Sequence, residues 1–219
     1  VRALPGVASA AQTVTVPFES QWDKTVLVNG DTLQPLQGGG PHVNAVSSDY
    51  FRVMGTPVLR GRDFTPQDGK GAAPVTIVNQ RMAQLLRPGR EAIGQCLGIG
   101  DLDGCATVVG VVPDAHETSL TDAAAPQFYE PLGQWTPDMR SLLVRVDARG
   151  GVDANAIRRA LVQVEPALPY IPVRTLSSIV DEQMQAWRLA ATLFGLFGAL
   201  GLLVAALGLY SVIAHDVAQ

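Results

Sequence analysis

Charged side chains are absent from one long stretch near the end of this 219-residue sequence. From Leu189 to Ala214 there is no Asp, Glu, Lys, Arg or His, whereas all 16 Lys and Arg residues precede it. As a helix, a stretch of this length spans about 39 Å, more than the roughly 30 Å of a bilayer's hydrocarbon core. The stretch is apolar all round, which is typical of a membrane span. The sequence therefore predicts one transmembrane helix within residues 185–219.

Three positions of this stretch hold small residues instead of bulky ones, namely Gly198, Gly201 and Ala205. Small residues let helix backbones approach closely in lipid, and Gly201 and Ala205 have the small-xxx-small spacing. We therefore expect these three residues to pack against other membrane helices. The alternative is that glycine is simply more frequent in membrane helices than in soluble ones.

Clusters of basic residues are absent from a chain whose net charge is −4. Nucleic-acid binding needs a concentrated positive surface that neutralises phosphates, and binding to anionic lipid headgroups needs a polybasic segment. The sequence therefore argues against a nucleic-acid surface and against a polybasic lipid-binding patch.

Motifs of catalysis and cofactor binding are absent as well. There is no GxxxxGK[ST] loop for a nucleotide and no GxSxG elbow, and His42, His116 and His215 lie far apart without metal-ligand spacing. Asp114, His116 and Glu117 are close in sequence, but such residues more often belong to a solvated loop than to an acid–base site. We expect no enzyme activity, no cofactor and no metal.

Cysteine is scarce: the sequence has only Cys96 and Cys105, which flank a turn-rich segment from Gly98 to Gly104. If the flanking residues form a hairpin, the two thiols can face each other across it and form a disulfide. Two free thiols, or half of a zinc site, are the alternatives. A disulfide is the favoured interpretation, and it would place the domain in an oxidising compartment.

Short strand and helix patterns interleave through the first 184 residues. Strands are predicted at 7–16, 25–28, 42–46, 74–78, 107–112, 127–130, 141–146 and 171–174. Three helix caps are predicted. A short helix begins after Ser47, Ser48 and Asp49, a second helix begins after Asn79, and an amphipathic third helix begins after Asp153. The pattern indicates an α+β fold with a mixed sheet. Residues 47–130 are expected to form a subdomain inserted in the domain of residues 1–184.

Several segments, in this order, resemble one known family. They are Val46–Gly55, Leu59–Phe64, Pro74–Asn79, Ile93–Gln95 and Val108–Asp114, followed by Leu207–Ala214 in the apolar stretch. Together they resemble the MacB-like periplasmic core domain of FtsX-type ABC transporter permeases and the membrane helix that follows it. The resemblance covers nearly the whole chain.

The resemblance implies a periplasmic domain between the first two membrane helices of a permease in the bacterial inner membrane. It also implies two subdomains, one inserted in the other, and a cytoplasmic ATPase subunit or domain whose turnover is coupled to periplasmic movement for export or release of a substrate. Further permease helices, a second copy in a dimer and a periplasmic adaptor are the other implied partners. Because the sequence lacks ATPase motifs and does not begin with Met, we expect it to be part of a longer machine.

Two other functions are compatible with an extracytoplasmic domain followed by a membrane helix. One is a membrane-anchored sensor or ligand-binding module, which needs one or two spans where a permease needs about four. The other is a membrane-tethered enzyme, for which the sequence offers no motif.

Overall fold

The computed structural model describes residues 1–28, 31–33, 40–100, 104–116, 123–135, 139–147, 153–166 and 171–217. The chain forms two compact units, Val1–Val173 and Arg174–Gln219. The first unit holds a mixed sheet with short helices and the second is one long helix. The predicted α+β class is therefore confirmed.

The first unit contains eleven strands and three helices within its described residues. The strands are β1 (Val7–Thr13), β2 (Trp22–Asp23), β3 (Val26–Val28), β4 (Asp31–Thr32), β5 (His42–Val46), β6 (Arg60–Gly61), β7 (Val75–Asn79), β8 (Cys96–Ile99), β9 (Cys105–Val112), β10 (Gln127–Pro131) and β11 (Ser141–Val146). The helices are α1 (Tyr50–Met54), α2 (Gln80–Leu86) and α3 (Ala154–Val164).

The strands form one mixed sheet in the order β11-β1-β5-β10-β7-β9-β8-β3-β4, with β2 paired to β5 and β6 paired to β9. Two pairs are parallel, β5 with β10 and β7 with β9, and the remaining pairs are antiparallel. Parallel partners need a long connection between them, so strands distant in sequence become neighbours in the centre of the sheet.

Apolar side chains cover both faces of this sheet. Val78 and Phe128 lie in one buried cluster with Met82 and Leu86 of α2. The adjacent residues Ile77 and Tyr129 lie in a second cluster. That cluster also contains Tyr50 and Phe51 of α1, whose rings contact that of Tyr129 with centroids 5.8 and 4.9 Å away. Because successive residues of a strand point to opposite faces, β7 and β10 supply both cores.

Two glycines allow β6 to pair closely with β9. Gly61 has a φ of +75°, a left-handed conformation that glycine adopts without a steric cost. A Cβ atom there would collide with the Val109 carbonyl oxygen, and one at Gly110 would lie 2.5 Å from the Arg62 carbonyl oxygen. The Leu59-Arg60-Gly61-Arg62 segment therefore pairs with β9 only because both positions lack a side chain.

The second unit consists of α4 (Leu176–Val217), a single helix of 42 residues. Within it, Trp187–Gly208 is long and apolar enough to cross a membrane by its length and composition. None of the side chains in this span is buried within the chain.

One predicted strand is absent, and one predicted cap lies where expected but makes no side-chain capping bond. No strand forms at 171–174, where Pro172 lacks the backbone N–H that a strand ladder needs. Asp49 is the N-cap residue of α1 but makes no capping bond with its side chain. Its carboxylate instead accepts hydrogen bonds from the guanidinium groups of Arg2 and Arg52, and Ser47 Oγ accepts one from the Gln12 N–H at 3.0 Å.

Asn79 caps α2 as predicted, and its side chain also bonds the chain at the start of β10. Its Oδ1 accepts a hydrogen bond from the N–H of Met82 at 2.9 Å and another from the N–H of Gln127 at 3.0 Å. Its Nδ2 donates to the Ala125 carbonyl oxygen at 2.8 Å. One fully buried amide thus joins the start of α2 to the start of β10.

We expect Asn79→Ala to lower the free energy of unfolding by about 3 kcal/mol, since it leaves three buried backbone groups without this partner. The matched variant is Asp153→Ala, which removes the capping bond to the Asn155 N–H and an exposed 3.9 Å ion pair with Arg159, and should cost about 1 kcal/mol. Urea unfolding of the detergent-solubilised chain, followed by tryptophan fluorescence, measures both. Equal losses in the two variants would contradict the joining role of Asn79.

Candidate functional site

The two cysteines predicted to pair are joined by a disulfide across the β8–β9 hairpin. In the strand register Cys96 lies opposite Thr107, and Cys105 lies opposite Gly98. The two cysteine Cα atoms are 5.5 Å apart, a distance that suits a disulfide. The bond therefore connects strands that are already paired and closes the turn between them, which lies partly outside the described residues.

The small residues predicted to pack in the membrane lie on α4. Gly198, Gly201 and Ala205 are separated by three and four positions, so they lie on one side of the helix. All three are exposed, and a Cβ added at either glycine would meet no atom within 4 Å. This side of the helix has room for another helix, and the packing role of the three residues stays a prediction.

The residues considered for acid–base chemistry do not form a site among the described residues. Asp114 Oδ1 accepts a hydrogen bond from the Arg81 N–H in the first turn of α2 at 2.8 Å, and His116 is exposed. Glu117 lies outside the described residues. In the part of the chain that the structure describes, no group of three His, Cys, Asp or Glu side chains can hold a metal ion.

The structure forms two polar pairs that sequence reasoning missed, and the strand registers place His42 of one pair and Glu130 of the other on opposite faces of the sheet. Pairing of β2 with β5 places Asp23 opposite His42, and the Asp23 carboxylate contacts His42 Nδ1. Lys24 Nζ lies 3.0 Å from Glu130 Oε2 and 3.9 Å from the centre of the Trp135 ring. The Lys24 and Glu130 side chains are only 12% and 8% exposed, so this ion pair is desolvated and needs its geometry to offset that cost.

A buried amide network lies on the neighbouring part of the sheet. Asn44 Oδ1 accepts hydrogen bonds from Thr13 Oγ1 at 2.8 Å and from the Thr15 N–H at 3.1 Å. Asn44 Nδ2 donates to the Thr15 carbonyl oxygen at 3.2 Å. Because Asn44 is fully buried, these bonds fix the chain that leaves β1 against β5.

One ring nitrogen of the Asp23–His42 pair has no hydrogen-bond partner in the described structure. This nitrogen is Nε2 of His42, which is buried in a residue that is 6% exposed. The ring lines a small recess together with Thr15, Ser20, Trp22 and Gln127. Most buried polar atoms are paired, so an unpaired ring nitrogen next to a recess is a candidate ligand-binding group.

An arginine–carboxylate pair holds the loop that follows β6. Arg62 donates two parallel hydrogen bonds to Asp68, at 2.7 and 2.8 Å, and the Thr65 N–H donates a third at 2.8 Å. The Arg62 guanidinium and the Thr65 bonds lower the pKa of Asp68 from 3.8 to about 2. By contrast, burial raises the pKa of the Asp63 carboxyl, with a further rise from the nearby charge of Asp49.

The geometry defines the class of protein: an α+β domain followed in sequence by a candidate membrane helix, with no metal-holding cluster among the described residues. Comparison with known families identifies it further. Residues 1–164 match the model of the MacB-like periplasmic core domain, and the chain belongs to this family. The resemblance seen in the sequence is thereby confirmed.

Curated relatives are export proteins. The chain is 26% identical over 189 residues to the probable syringafactin export ATP-binding/permease protein SyfD of Pseudomonas syringae pv. tomato. It is 21% identical over 187 residues to the macrolide export ATP-binding/permease protein MacB of Wolinella succinogenes. Each match covers 81% of this chain but only 27% and 28% of the relatives. The chain therefore spans about a quarter of their length.

A solved structure shares the fold. The periplasmic region of MacB from Actinobacillus actinomycetemcomitans matches with a TM-score of 0.53 and 15% identity, covering 76% of this chain and 70% of that one. At this identity the match shows the fold alone.

The Arg62–Asp68 pair gives a pH-dependent prediction. Because the pKa of Asp68 is lower in the folded state, its stabilisation is fully present above about pH 4 and is lost as the pH falls towards 2. We expect Asp68→Asn to lower the free energy of unfolding at pH 7 by about 2 kcal/mol and the loss to shrink between pH 4 and pH 2. Urea unfolding at each pH measures it, with Asp31→Asn on exposed β4 as the control, expected to change stability by less than about 0.5 kcal/mol. A loss that is independent of pH would contradict the charge-based explanation.

Proposed function

We propose that this chain is a non-catalytic extracytoplasmic domain of an ABC export permease, joined to one of its membrane helices. Its role would be to couple cytoplasmic ATP hydrolysis to movement outside the cytoplasm, for export or release of a substrate. The family match and the curated export relatives support the class of protein. The observation that carries the coupling role is the unbroken helix α4.

Helix α4 changes character along its length without a break in its backbone. Residues up to Arg188 include charged side chains, and the apolar span follows. Arg174 and Glu182 form an ion pair at 2.5 Å and Asp181 and Arg188 form one at 3.2 Å, so both pairs lie along the polar part. At 1.5 Å per residue the helix is about 63 Å long. A continuous helix of this length transmits an axial or tilting movement from the membrane to the polar segment.

The proposal includes partners and a location. The ATPase is a separate subunit or a domain on another part of the protein, and the exposed surface at Gly198, Gly201 and Ala205 packs against other permease helices. A second copy in a dimer and a periplasmic adaptor complete the proposed assembly. Residues 1–184 lie in the periplasm, with 47–130 as the inserted subdomain, and 185–219 lie in the bacterial inner membrane.

Breaking α4 tests the coupling. We expect Gln185→Pro, placed in the full-length protein, to reduce transport-coupled ATPase activity at least fivefold, because proline removes a helix hydrogen bond and kinks the helix. The measurement is ATP hydrolysis by the reconstituted transporter with and without its transport substrate. Gln185→Ala changes the same exposed position without a kink and should leave activity unchanged.

Unchanged stimulation in a correctly inserted Gln185→Pro protein would contradict force transmission through α4. Full-length protein that contains one or two spans and purifies without any ATPase would instead favour a membrane-anchored sensor.

The disulfide tests the location. In intact cells we expect a membrane-impermeant maleimide to label Cys96 and Cys105 only after an external reductant has opened their bond. The Cys96→Ser/Cys105→Ser variant is the control for background labelling. Thiols that react without reduction, and only after lysis, would place the domain inside the cytoplasm.

A further inference from the structure

The disulfide between Cys96 and Cys105 lies on the face of its hairpin that is turned away from the neighbouring core. Leu97 follows Cys96, Ala106 follows Cys105, and both of these apolar residues are buried in the cluster that α2 covers. Because successive residues of a strand point to opposite faces, the two cysteine side chains point away from that cluster. Cys96 is exposed and Cys105 is half-buried. The disulfide is therefore open to reagents in solution.

The two cysteines differ in their surroundings. Cys96 lies opposite Thr107, which is exposed. Cys105 lies opposite Gly98, which also pairs with Leu27 of β3. A Cβ atom at Gly98 would lie only 2.8 Å from the Leu27 Cβ, so the Leu27 side chain occupies the space beside this glycine. Leu27 is thus on the Cys105 side of the disulfide, and a reagent reaches Cys96 more easily.

Other bonds hold the open end of the hairpin, where β8 begins. The Gly94 N–H donates a hydrogen bond to the Val108 carbonyl oxygen at 2.8 Å, and the Val108 N–H donates one to the Gln95 carbonyl oxygen at 2.8 Å. Buried apolar side chains of both strands add to this pairing. Breaking the disulfide therefore leaves β8 and β9 paired at this end and loosens only the end next to the turn.

The end of β8 next to the turn supports the outer edge of the sheet. Strand β3 pairs with β8, and β4 pairs with β3, so β8 links both of them to the rest of the sheet in the described residues. Just after β8, the Gly100 N–H donates a hydrogen bond to the Thr25 carbonyl oxygen at 2.9 Å. A looser β8 would therefore loosen β3 and β4 as well.

We propose that this disulfide is a reversible redox site that a dithiol opens at Cys96, and that its state sets the mobility of the edge formed by β8, β3 and β4. One thiolate of the dithiol attacks Cys96 Sγ and forms a mixed disulfide, while Cys105 Sγ leaves with the electron pair and takes a proton. The second thiolate then attacks the dithiol's own sulfur and releases Cys96, which is protonated. The dithiol is oxidised to a disulfide, and the two cysteines are reduced.

The first experiment measures how the bond opens in the whole detergent-solubilised chain. Dithiothreitol is added with and without urea, and free thiols are counted from the mass added by a maleimide. We expect the rate in the folded chain to be within about tenfold of the rate in urea, because the bond is exposed. In the single-cysteine variants, we expect Cys96 in Cys105→Ser to react with an aromatic disulfide at least about tenfold faster than Cys105 in Cys96→Ser.

The second experiment measures amide hydrogen exchange before and after reduction. We expect the Gly100 N–H, and the Leu33 N–H that donates to the Val26 carbonyl oxygen, to exchange at least about tenfold faster in the reduced chain. The control is the Leu132 N–H, which bonds the Val46 carbonyl oxygen in the other half of the sheet and should not change. The Cys96→Ser/Cys105→Ser variant should match the reduced chain.

Three results would overturn the proposal. They are a bond that dithiothreitol opens only in urea, equal reactivity of the two single cysteines, and exchange at Gly100 and Leu33 that reduction leaves unchanged or accelerates only as much as at Leu132. All of these measurements use the purified chain, so their outcome does not depend on the proposed transport role.

Discussion

The pairing of β10 on both of its edges is the constraint on which the first unit depends. β10 lies between β5 and β7, and all of its residues are buried. Its parallel partner β5 carries the strands of one half of the sheet, and its antiparallel partner β7 carries those of the other half. The Asn79 amide fixes where β10 begins, because it bonds the Ala125 carbonyl oxygen and the Gln127 N–H. A one-residue slip here would turn Phe128 and Tyr129 to the wrong cores.

Local structure was predictable from the sequence where one short pattern determined it. The β-branched run before Asn79 and the cap at Asn79 gave β7 and α2 with nearly the observed bounds. The hairpin at Cys96 and Cys105 agrees with the predicted strand at 107–112 and the turn-rich segment between the two cysteines. At 171–174 the predicted strand is absent, because Pro172 has no N–H for a ladder.

Long-range contacts were not predictable from the sequence, because the residues around one partner do not indicate which distant residue it contacts. Asp23 and His42 are 19 residues apart, and Lys24 and Glu130 are 106 residues apart. Their contacts arise from the pairing of β2 with β5 and of β5 with β10, which are choices of topology rather than of local propensity. Arg62 and Asp68 are only six residues apart. Their opposite charges on the two sides of a proline-containing turn are a local pattern from which this ion pair can be predicted.

The buried polar groups of the first unit differ in how completely the fold provides them with hydrogen-bond partners. Asn44, Asn79 and Asp68 each make at least three hydrogen bonds to their surroundings, so their polarity is consumed in fixing strands and a loop. His42 is buried to a similar degree, yet only its Nδ1 has a partner in the described structure. Burying a polar nitrogen without a partner opposes folding, whereas the contact of His42 Nδ1 with the Asp23 carboxylate joins β2 to β5 and acts against that cost.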